Sequence, residues 1–370
     1  MKQRSPWLLA LALSHLAGCG DDASGGSPPD ASAAHDASAS FDAGSCDSCT
    51  LREAAQRAGI RFGVAAAPMD EPKWNDLILS EFNALSPEGE LVWKVIHPAP
   101  DEWNFDGADR VLAFTEENDL STMVSHFAWD QATATTGTPA WVEELTDPTE
   151  LEQVMREHLR TITKRYGKKI DRWIAVNEPL LYAGTGVLYE NHFHKTFGAD
   201  YIAKVFQIAA DEAPDSELWL NEIFTEGNAP KCDALVALAR DLVDRGIPID
   251  GVGIQGHLFL AMPDFALVEK TMRRLGELGL KVAVTELDAP IEPTVADQLG
   301  LQAERMAHMV RACLAVPECE SVTVWGLHDG VSWLNNLLKP GMVPLLFDEQ
   351  LERKPSYYAV RDALAEGRPR

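Results

Sequence analysis

Two glutamates stand at the ends of short apolar runs in this chain, and their positions suit the hydrolysis of a glycosidic bond. The run at residues 173–176 leads to Glu178, and the run at residues 282–284 leads to Glu286. Such hydrolysis needs two carboxyl groups flanking the scissile bond, one protonated and one ionised. A retaining enzyme places them roughly 5–5.5 Å apart, and an inverting enzyme roughly 6.5–9.5 Å. Glu178 and Glu286 are therefore the candidate catalytic pair.

The neighbours of these glutamates predict unequal pKa values. Asp288 lies close behind Glu286, where hydrogen-bond donors are expected to hold the Glu286 carboxyl as an anion. Glu178 follows Asn177 in an aromatic setting, which would keep its carboxyl protonated. A pair tuned in this way supplies one acid and one anion at neutral pH.

Polar and aromatic residues close other apolar runs and are typical of a sugar site. Gln255 and His257 are two positions apart, so both side chains can point to the same side. Tryptophan rings stack on the apolar faces of pyranose sugars. The alternative is that Trp325, Trp333 and His257 are core residues, since tryptophan is usually well buried. The residues in this group are His126, Trp129, Gln255, His257, Trp325, Asp329, Ser332 and Trp333.

The apolar runs that carry these residues alternate with amphipathic helical patterns. Strands are predicted at residues 61–66, 82–85, 121–127, 172–176, 218–221, 251–255, 281–285 and 321–325. The clearest helices are predicted at residues 150–166, 201–212, 231–244, 264–278 and 295–313. Residues 63–66 lack the glycine-rich phosphate turn expected of a doubly wound open sheet. The pattern predicts an α/β fold, a (β/α)8 TIM barrel, with a single catalytic domain at residues 50–370.

The composition limits the classes of partner. The chain has 370 residues, of which 46% are hydrophobic, enough for one large barrel. Its 57 acidic and 32 basic residues give a formal net charge of −25. Such a field repels phosphates, so no nucleic-acid or anionic-membrane partner is expected. A neutral polysaccharide is compatible with this charge, which also favours solubility.

The N-terminus has the features of an export signal. Lys2 and Arg4 precede an apolar stretch at residues 7–16, which is shorter than the roughly 20 residues that span a bilayer. The segment resembles a bacterial lipoprotein signal peptide at residues 1–18, whose cleavage would leave Cys19 to be lipidated. The alternative is an ordinary secretory signal with an incidental Cys19. Residues 19–49, rich in Asp, Ala, Ser and Gly, are predicted to be a flexible tether. The protein is therefore expected to be exported and lipid-anchored to the bacterial cell envelope, at the outer surface or periplasmic face.

The remaining cysteines fit an exported protein, in which disulfides are permitted. Cys313 and Cys319 flank a short turn before the eighth strand and are the preferred disulfide pair. Cys46 and Cys49 would close a small loop, which leaves Cys232 without a partner. No zinc site is expected, because no second cysteine pair or histidine set completes four ligands. His192 and His194 lack a third ligand and are interpreted as solvated residues of a polar loop.

Taken in order, several short motifs resemble glycoside hydrolase family ten, the (β/α)8 retaining endo-β-1,4-xylanases. The resemblance runs from about residue 51 to residue 360. The matching residues are Phe82-Asn83 with Ser86-Pro87-Glu88 and Trp93; Trp173 with Val176-Asn177-Glu178; Gly253-Ile254-Gln255-Gly256-His257; Thr285-Glu286-Leu287-Asp288; Val324-Trp325-Gly326 with Asp329 and Ser332-Trp333; and Leu346-Phe347-Asp348 with Lys354-Pro355.

The resemblance implies a role for each matching site residue. Glu178 would be the general acid and later the base, and Glu286 the nucleophile of a covalent glycosyl intermediate. Asn177 would hydrogen-bond the sugar 2-hydroxyl, an interaction that strengthens in the transition state. His257 would orient Glu286. The remaining residues would bind sugar, with Glu88 reaching a sugar adjacent to those at the scissile bond: Glu88, Gln255, Trp325 and Trp333.

Two departures from the family pattern fall near Glu88. The family has Asn after this glutamate and Lys just before the tryptophan that matches Trp93. Here those places hold Gly89 and Val92. Both family side chains bind sugar on the non-reducing side of the cleft, so the departures concern the identity of the sugar more than the reaction. Losing polar partners of a sugar can change discrimination by several orders of magnitude.

The third and fifth strands also depart from the family pattern. The family has a histidine, three residues, a tryptophan and a second histidine. Here His126 is one residue closer to Trp129, and Asp130 replaces the second histidine. Either the strand carries a deletion, or Ser125 occupies the usual histidine place. On the fifth strand, Ile223 replaces a tyrosine and removes an aromatic hydroxyl.

Together these features predict a monomeric retaining endo-hydrolase that cleaves β-1,4 bonds in xylan by double displacement, with no cofactor and no metal. Its partners would be the polysaccharide and, through the lipid anchor only, a membrane. One alternative is a hydrolase of another β-linked glycan with an altered non-reducing-side subsite. The other is a catalytically silent surface glycan-binding lipoprotein, which the retention of both Glu178 and Glu286 disfavours.

Overall fold

A computed structural model describes residues 46, 48–130, 137–181, 186–259, 263–292, 294, 297–337 and 341–368. All of them belong to the larger of the two compact units of the chain, Ser45–Arg370. Cys19 and the predicted boundary between signal peptide and tether lie outside the described residues. Lipidation at Cys19 and the boundaries at residues 18 and 49 therefore stay predictions.

Eight parallel strands close into a barrel in sequence order, and β1 pairs with both β2 and β8. This confirms the predicted (β/α)8 fold, and each predicted strand overlaps an observed one. The strands are β1 (Arg61–Ala65), β2 (Ala84–Ser86), β3 (Ser121–Val124), β4 (Arg172–Asn177), β5 (Glu217–Glu222), β6 (Gly251–Ile254), β7 (Lys281–Leu287) and β8 (Cys319–Val324).

Helices connect the strands and surround the barrel. Among the described residues, no helix is both long enough and apolar enough to cross a membrane. The α-helices are α1 (Leu51–Ala58), α2 (Pro72–Glu81), α3 (Trp93–Ile96), α4 (Asp106–Glu117), α5 (Ala140–Glu143), α6 (Pro148–Tyr166), α7 (His192–Phe197), α8 (Tyr201–Glu212), α9 (Ala229–Asp244), α10 (Phe265–Gly276), α11 (Gln298–Leu314), α12 (Leu334–Leu337) and α13 (Pro355–Glu366), with short 3₁₀ turns at Gly167–Lys169 and Asp329–Val331.

Local sequence explains where these helices begin. The side chain of Asp147 caps α6 by accepting from the backbone N–H groups of Thr149 and Glu150, and Pro148 occupies the first helical turn, where no N–H is needed. Thr50 and Glu53 form a reciprocal capping box at the start of α1. The longer helices then bury apolar faces in a single main core that contains residues of both strands and helices.

The barrel interior has a small apolar cluster of its own, made of Met123, Ile174, Trp219 and Ala283. At the opposite end from the strand C-termini, the buried Arg172 donates across the interior to the Ser321 hydroxyl at 2.9 Å. The interior is thus filled by side chains rather than open, which is typical of this fold. It forms a rigid floor beneath the residues at the strand C-termini.

Two disulfides join cysteines that are close in sequence. Cys313 pairs with Cys319, and Cys46 pairs with Cys49. Both pairings agree with the sequence analysis. Cys232 is free, as expected when Cys46 pairs with Cys49, and it is buried. The first disulfide links the end of α11 to the start of β8 and so fixes the entry into the eighth strand.

Candidate active site

The two candidate glutamates lie at the C-terminal ends of β4 and β7, the barrel face on which active sites of this fold are built. Glu178 immediately follows β4, and Glu286 is the penultimate residue of β7. Only 6% of Glu178 and 5% of Glu286 are exposed. The pairing register shifts within both strands, between Ile174 and Val176 and between Val284 and Leu287. Such irregularities re-aim side chains at barrel rims.

A chain of side-chain amides connects the two carboxylates. The Asn221 amide nitrogen donates to Glu286 Oε1 at 2.7 Å and to Asn177 Oδ1 at 2.9 Å. Asn177 in turn donates to Glu178 Oε1 at 3.1 Å. Gln255 also donates to Glu178 Oε1, at 2.8 Å. The structure therefore brings Glu178, Glu286, Asn177 and Gln255 together at the barrel mouth. Both of these donors to Glu178 are amides, whereas the sequence analysis expected an aromatic setting.

Asn221 is central to this chain, although the sequence analysis did not select it as a site residue. Its Oδ1 accepts from the Thr285 hydroxyl at 2.7 Å, which fixes the orientation of the amide. Gly253 on the strand between them leaves the necessary room. A Cβ at that position would lie 2.3 Å from Asn221 Oδ1 and 2.6 Å from Thr285 Cγ2. The sequence signal that could have identified Asn221 is the presence of an asparagine near the end of the fifth apolar run.

Glu286 is held as an anion by two imidazoles. His257 Nε2 lies 3.2 Å from Glu286 Oε2, and His126 Nε2 lies 3.7 Å from Glu286 Oε1. Burial raises the pKa of this carboxyl, but the interactions with His126 and His257 outweigh burial and lower the pKa to about 2. This agrees with the predicted ionised state, which a nucleophile requires.

His257 is itself held between two carboxylates. Its Nδ1 lies 2.9 Å from Asp288 Oδ2, on the side of the ring opposite Glu286. Burial would lower the pKa of His257, but Asp288 and Glu286 raise it to about 10. The ring is therefore an imidazolium in contact with Glu286, which is the contact that the orienting role implied by the resemblance would require. Trp333 Nε1 donates to Asp288 Oδ2 at 2.9 Å, and the Trp333 ring lies 4.9 Å from the His257 ring.

The other two predicted tryptophans flank the same site. Trp325 is buried directly after β8, and its backbone N–H donates to the Leu287 carbonyl beside Glu286. Trp129 is half-buried after β3, and its ring lies 4.7 Å from the His126 ring. His126 thus faces Glu286 although its spacing from Trp129 departs from the family pattern.

Glu88 follows β2 by two residues and is half-buried. Burial, followed by the negative charges of Glu90 and Glu286, raises the pKa of its carboxyl to about 7. Below that pH Glu88 is a neutral acid, which can both donate to and accept from a sugar hydroxyl.

The raised pKa of Glu88 predicts a pH-dependent stability difference for Glu88→Gln. The unfolded chain loses this proton near pH 4.5, whereas the folded protein keeps it until about pH 7. The wild type therefore loses stability between these values, by on the order of 2 kcal/mol after allowance for solvent screening. We expect Glu88→Gln to gain stability relative to the wild type across that interval, measured by denaturant unfolding at pH 4.5, 6 and 8.

The control for this prediction is Glu90→Gln, which removes one of the two charges that raise the Glu88 pKa. In that variant the stability loss should end at a lower pH than in the wild type and be smaller, because the folded pKa of Glu88 moves closer to 4.5. A stability difference between wild type and Glu88→Gln that is constant from pH 4.5 to 8 would contradict the assignment.

The residues that depart from the family pattern lie in different environments. A Cβ at Gly89 would meet no atom within 4 Å, so this position borders open space. Val92 is buried and packs near Gly137, where an added Cβ would lie 3.1 Å from Val92 Cγ1. Asp130 is buried and accepts from the His192 backbone N–H at 2.6 Å. Ile223 is also buried.

One prediction about histidines requires correction. His192 and His194 were expected to be solvated residues of a polar loop, but both are half-buried on the short helix α7. Asn191 caps this helix by accepting from the His194 backbone N–H, which is why the segment is helical. Over the part of the chain that the structure describes, no group of His, Cys, Asp and Glu is arranged to hold a metal ion.

Comparisons with known proteins agree with this geometry. The profile of Glycosyl hydrolase family 10 matches residues 50–363. Endo-1,4-beta-xylanase B of Thermotoga neapolitana is 29% identical over 324 residues, which cover 85% of this chain and 92% of the relative. Endo-1,4-beta-xylanase 1 of Humicola insolens is 31% identical over 328 residues, which cover 86% of this chain and 75% of the relative. The crystal structure of xylanase 10B from Thermotoga petrophila RKU-1 in complex with xylobiose superposes with a TM-score of 0.80 at 30% identity, covering 87% of this chain and 99% of that chain.

Proposed function

Because this chain belongs to glycosyl hydrolase family 10, we propose that it is an endo-acting enzyme that cleaves β-1,4 bonds in xylan with retention of anomeric configuration. The observation that carries the proposal is the unequal environment of the two glutamates. Glu286 is held as an anion by His126 and His257, and Glu178 is connected to it through Asn221 and Asn177. Relatives named as endo-1,4-beta-xylanases support the choice of polymer.

The first chemical step joins the sugar to Glu286. A Glu286 carboxylate oxygen attacks the anomeric carbon, while Glu178 gives its proton to the glycosidic oxygen. The bond between the anomeric carbon and that oxygen breaks, and the reducing-side portion leaves as an alcohol. Asn177 is placed to hydrogen-bond the 2-hydroxyl of the reacting sugar, where contact strengthens as the transition state forms.

The second step returns the enzyme to its starting state. The Glu178 carboxylate takes a proton from water, and the water oxygen attacks the anomeric carbon. The ester bond to Glu286 breaks, which restores the anion that His257 stabilises. Two inversions at the anomeric carbon give net retention of configuration. The polysaccharide and one water molecule are the only reactants in these two steps.

The test is the configuration and size of the first products of a xylan digest. Proton NMR should show the β-anomer forming before mutarotation, and chromatography should show a mixture of oligosaccharides rather than only the shortest product. The α-anomer as first product would contradict double displacement. Release of a single short product from chain ends would contradict endo action.

The open position at Gly89 and the apolar Val92 favour one alternative, hydrolysis of another β-linked glycan. Both residues replace polar side chains of the family pattern beside Glu88, so the contacts that select xylose there are changed. A reducing-end assay over xylan, arabinoxylan, mixed-linkage β-glucan and mannan would decide. A larger kcat/KM on a glucan or mannan than on xylan favours the alternative. Binding without release on every polymer favours the silent glycan-binding protein.

We also propose that the protein is exported, lipidated at Cys19 and tethered to the cell envelope as a monomer. The basic start, the apolar stretch and Cys19 itself support export and lipidation. Expression of the full chain in a bacterium with radiolabelled palmitate should label the wild type but not Cys19→Ser. Equal labelling of both, or none of either, would contradict lipidation at Cys19. Light scattering of the released domain should give the mass of one chain.

A further inference from the structure

A fully buried ion pair lies behind Glu178 and has no part in the mechanism above. It joins Glu222, the last residue of β5, to Lys231 in the first turn of α9. Lys231 Nζ lies 2.9 Å from Glu222 Oε1, and neither side chain is exposed to solvent. A buried ion pair often stabilises a fold no more than an apolar pair would, so stability alone does not explain why this pair is present.

The Glu222 carboxylate anchors the turn that carries Glu178. Its Oε2 accepts from the Leu180 backbone N–H at 3.0 Å, two residues after Glu178. Its Oε1 accepts from the Ile223 backbone N–H at 2.9 Å and forms the ion pair with Lys231. Two N–H donors and one ammonium group thus converge on one carboxylate. A neutral amide cannot reproduce this arrangement, because its NH₂ group is a donor and cannot accept.

Glu178 needs such an anchor because its own backbone is strained. Its φ of 52° lies in the left-handed region, which non-glycine residues rarely adopt. Such a conformation persists only when the surrounding structure enforces it. The Glu178 backbone N–H donates to the Asn221 carbonyl on one side, and Leu180 is held by Glu222 on the other. The turn is therefore fixed to β5 at both ends.

Lys231 offsets the cost of burying the Glu222 carboxylate close to a second acidic residue, Glu178. Burial raises the pKa of Glu222, Lys231 lowers it, and the charge of Glu178 raises it again, to about 7. Without the ammonium group, a buried carboxylate beside Glu178 would be strongly disfavoured. The contact between Lys231 and the Phe224 ring, 5.9 Å from Nζ to the centroid, adds a cation–π interaction.

We propose that Glu222, paired with Lys231, is a positioning residue that fixes the turn at residues 178–180 and so aims Glu178 at the leaving-group oxygen. The inference rests on the proposed function, in which Glu178 is the general acid. It assigns to the pair a catalytic consequence rather than a purely structural one. General acid catalysis depends on geometry, and a displacement of about 1 Å can cost on the order of 10²-fold in rate.

The test is the dependence of kcat/KM on the leaving group in a series of aryl β-xylobiosides. A phenol that leaves poorly needs protonation by a well-aimed acid, whereas 2,4-dinitrophenolate needs none. We expect Glu222→Gln to lose about 10- to 100-fold on phenyl xylobioside and less than about threefold on the dinitrophenyl substrate. The slope of log kcat/KM against leaving-group pKa should therefore become steeper than in the wild type.

Two further variants keep the test decisive. Glu222→Leu combined with Lys231→Met removes the anchor without leaving a buried charge unpaired, so it should fold and show the same steeper slope. Lys354→Met breaks a comparably buried pair, Lys354 with Asp329 at 2.8 Å, in the segment after β8. That control should lose thermal stability with an unchanged slope.

The outcomes separate this inference from the proposed function. If Glu222→Gln loses activity equally on all leaving groups, or if Lys354→Met steepens the slope as much, Glu222 has no specific positioning role. If the wild type itself fails to cleave xylan and aryl xylobiosides, the proposed function fails first. A normal slope in a folded Glu222→Leu/Lys231→Met double variant would also overturn the inference.

Discussion

Glu286→Ala is expected to cleave xylan at least about 10⁵-fold more slowly than the wild type, because it lacks the group that forms the covalent intermediate. The wild-type carboxylate is buried and ionised, with His257 Nε2 at 3.2 Å and Asn221 Nδ2 at 2.7 Å. The measurement is reducing-sugar release under saturating substrate.

Azide provides a sharper readout for the same variant. The alanine leaves a space where the carboxylate stood, and azide can attack the anomeric carbon of dinitrophenyl xylobioside from that side. One inversion then gives the α-xylobiosyl azide, which NMR identifies. The β-azide from Glu286→Ala, or wild-type activity on xylan, would show that Glu286 is not the nucleophile. Unchanged near-UV circular dichroism serves as the folding control.

Glu178→Ala should lose about 10²- to 10⁴-fold on xylan, the usual contribution of a general acid and base. Dinitrophenyl xylobioside should still form the glycosyl-enzyme at close to the normal rate, because its leaving group needs no proton. The intermediate should then accumulate, since no base activates water. A burst of dinitrophenolate equal to the enzyme concentration, followed by a slow steady state, is the expected measurement.

Azide reports the opposite stereochemistry for this variant. It should accelerate the steady state of Glu178→Ala by attacking the intermediate on Glu286, and two inversions give the β-xylobiosyl azide. The two alanine variants are therefore matched controls for each other. If Glu286→Ala gave the β-azide and Glu178→Ala gave the α-azide, the two assigned roles would be reversed. If Glu178→Ala lost activity equally on xylan and on the aryl substrate, Glu178 would not be the general acid.

The barrel could be predicted from the sequence because its signals are local. Each strand is a short run of apolar residues, and the run that predicts residues 172–176 differs from β4, Arg172–Asn177, by one residue. The second strand was displaced, predicted at 82–85 and observed at Ala84–Ser86. Phe82 belongs to the preceding turn, where its backbone N–H caps α2. Apolar character alone does not distinguish the residues of a strand from a buried residue, such as Phe82, that ends the preceding helix.

The site was only partly predictable, because its connections are not local in sequence. Glu178 and Glu286 are marked by their positions after apolar runs, but the residue that links them, Asn221, comes from a third strand. Its hydrogen bonds span 44 and 65 residues of chain. The spacing of His126 was also insufficient to place its ring, which reaches Glu286 at 3.7 Å. Such facts depend on how β3, β5 and β7 meet in the closed barrel.

Gly253 makes no polar contact with substrate groups in this mechanism, yet it limits how the protein can evolve. Any side chain there would collide with both Asn221 and Thr285, whose hydrogen bond orients the amide on Glu286. A mutation at Gly253 therefore disturbs the surroundings of Glu286 in one step. Across descendants of this chain that remain active, Gly253, Asn221 and Thr285 should be inherited as a block, even while surface positions around them diverge freely.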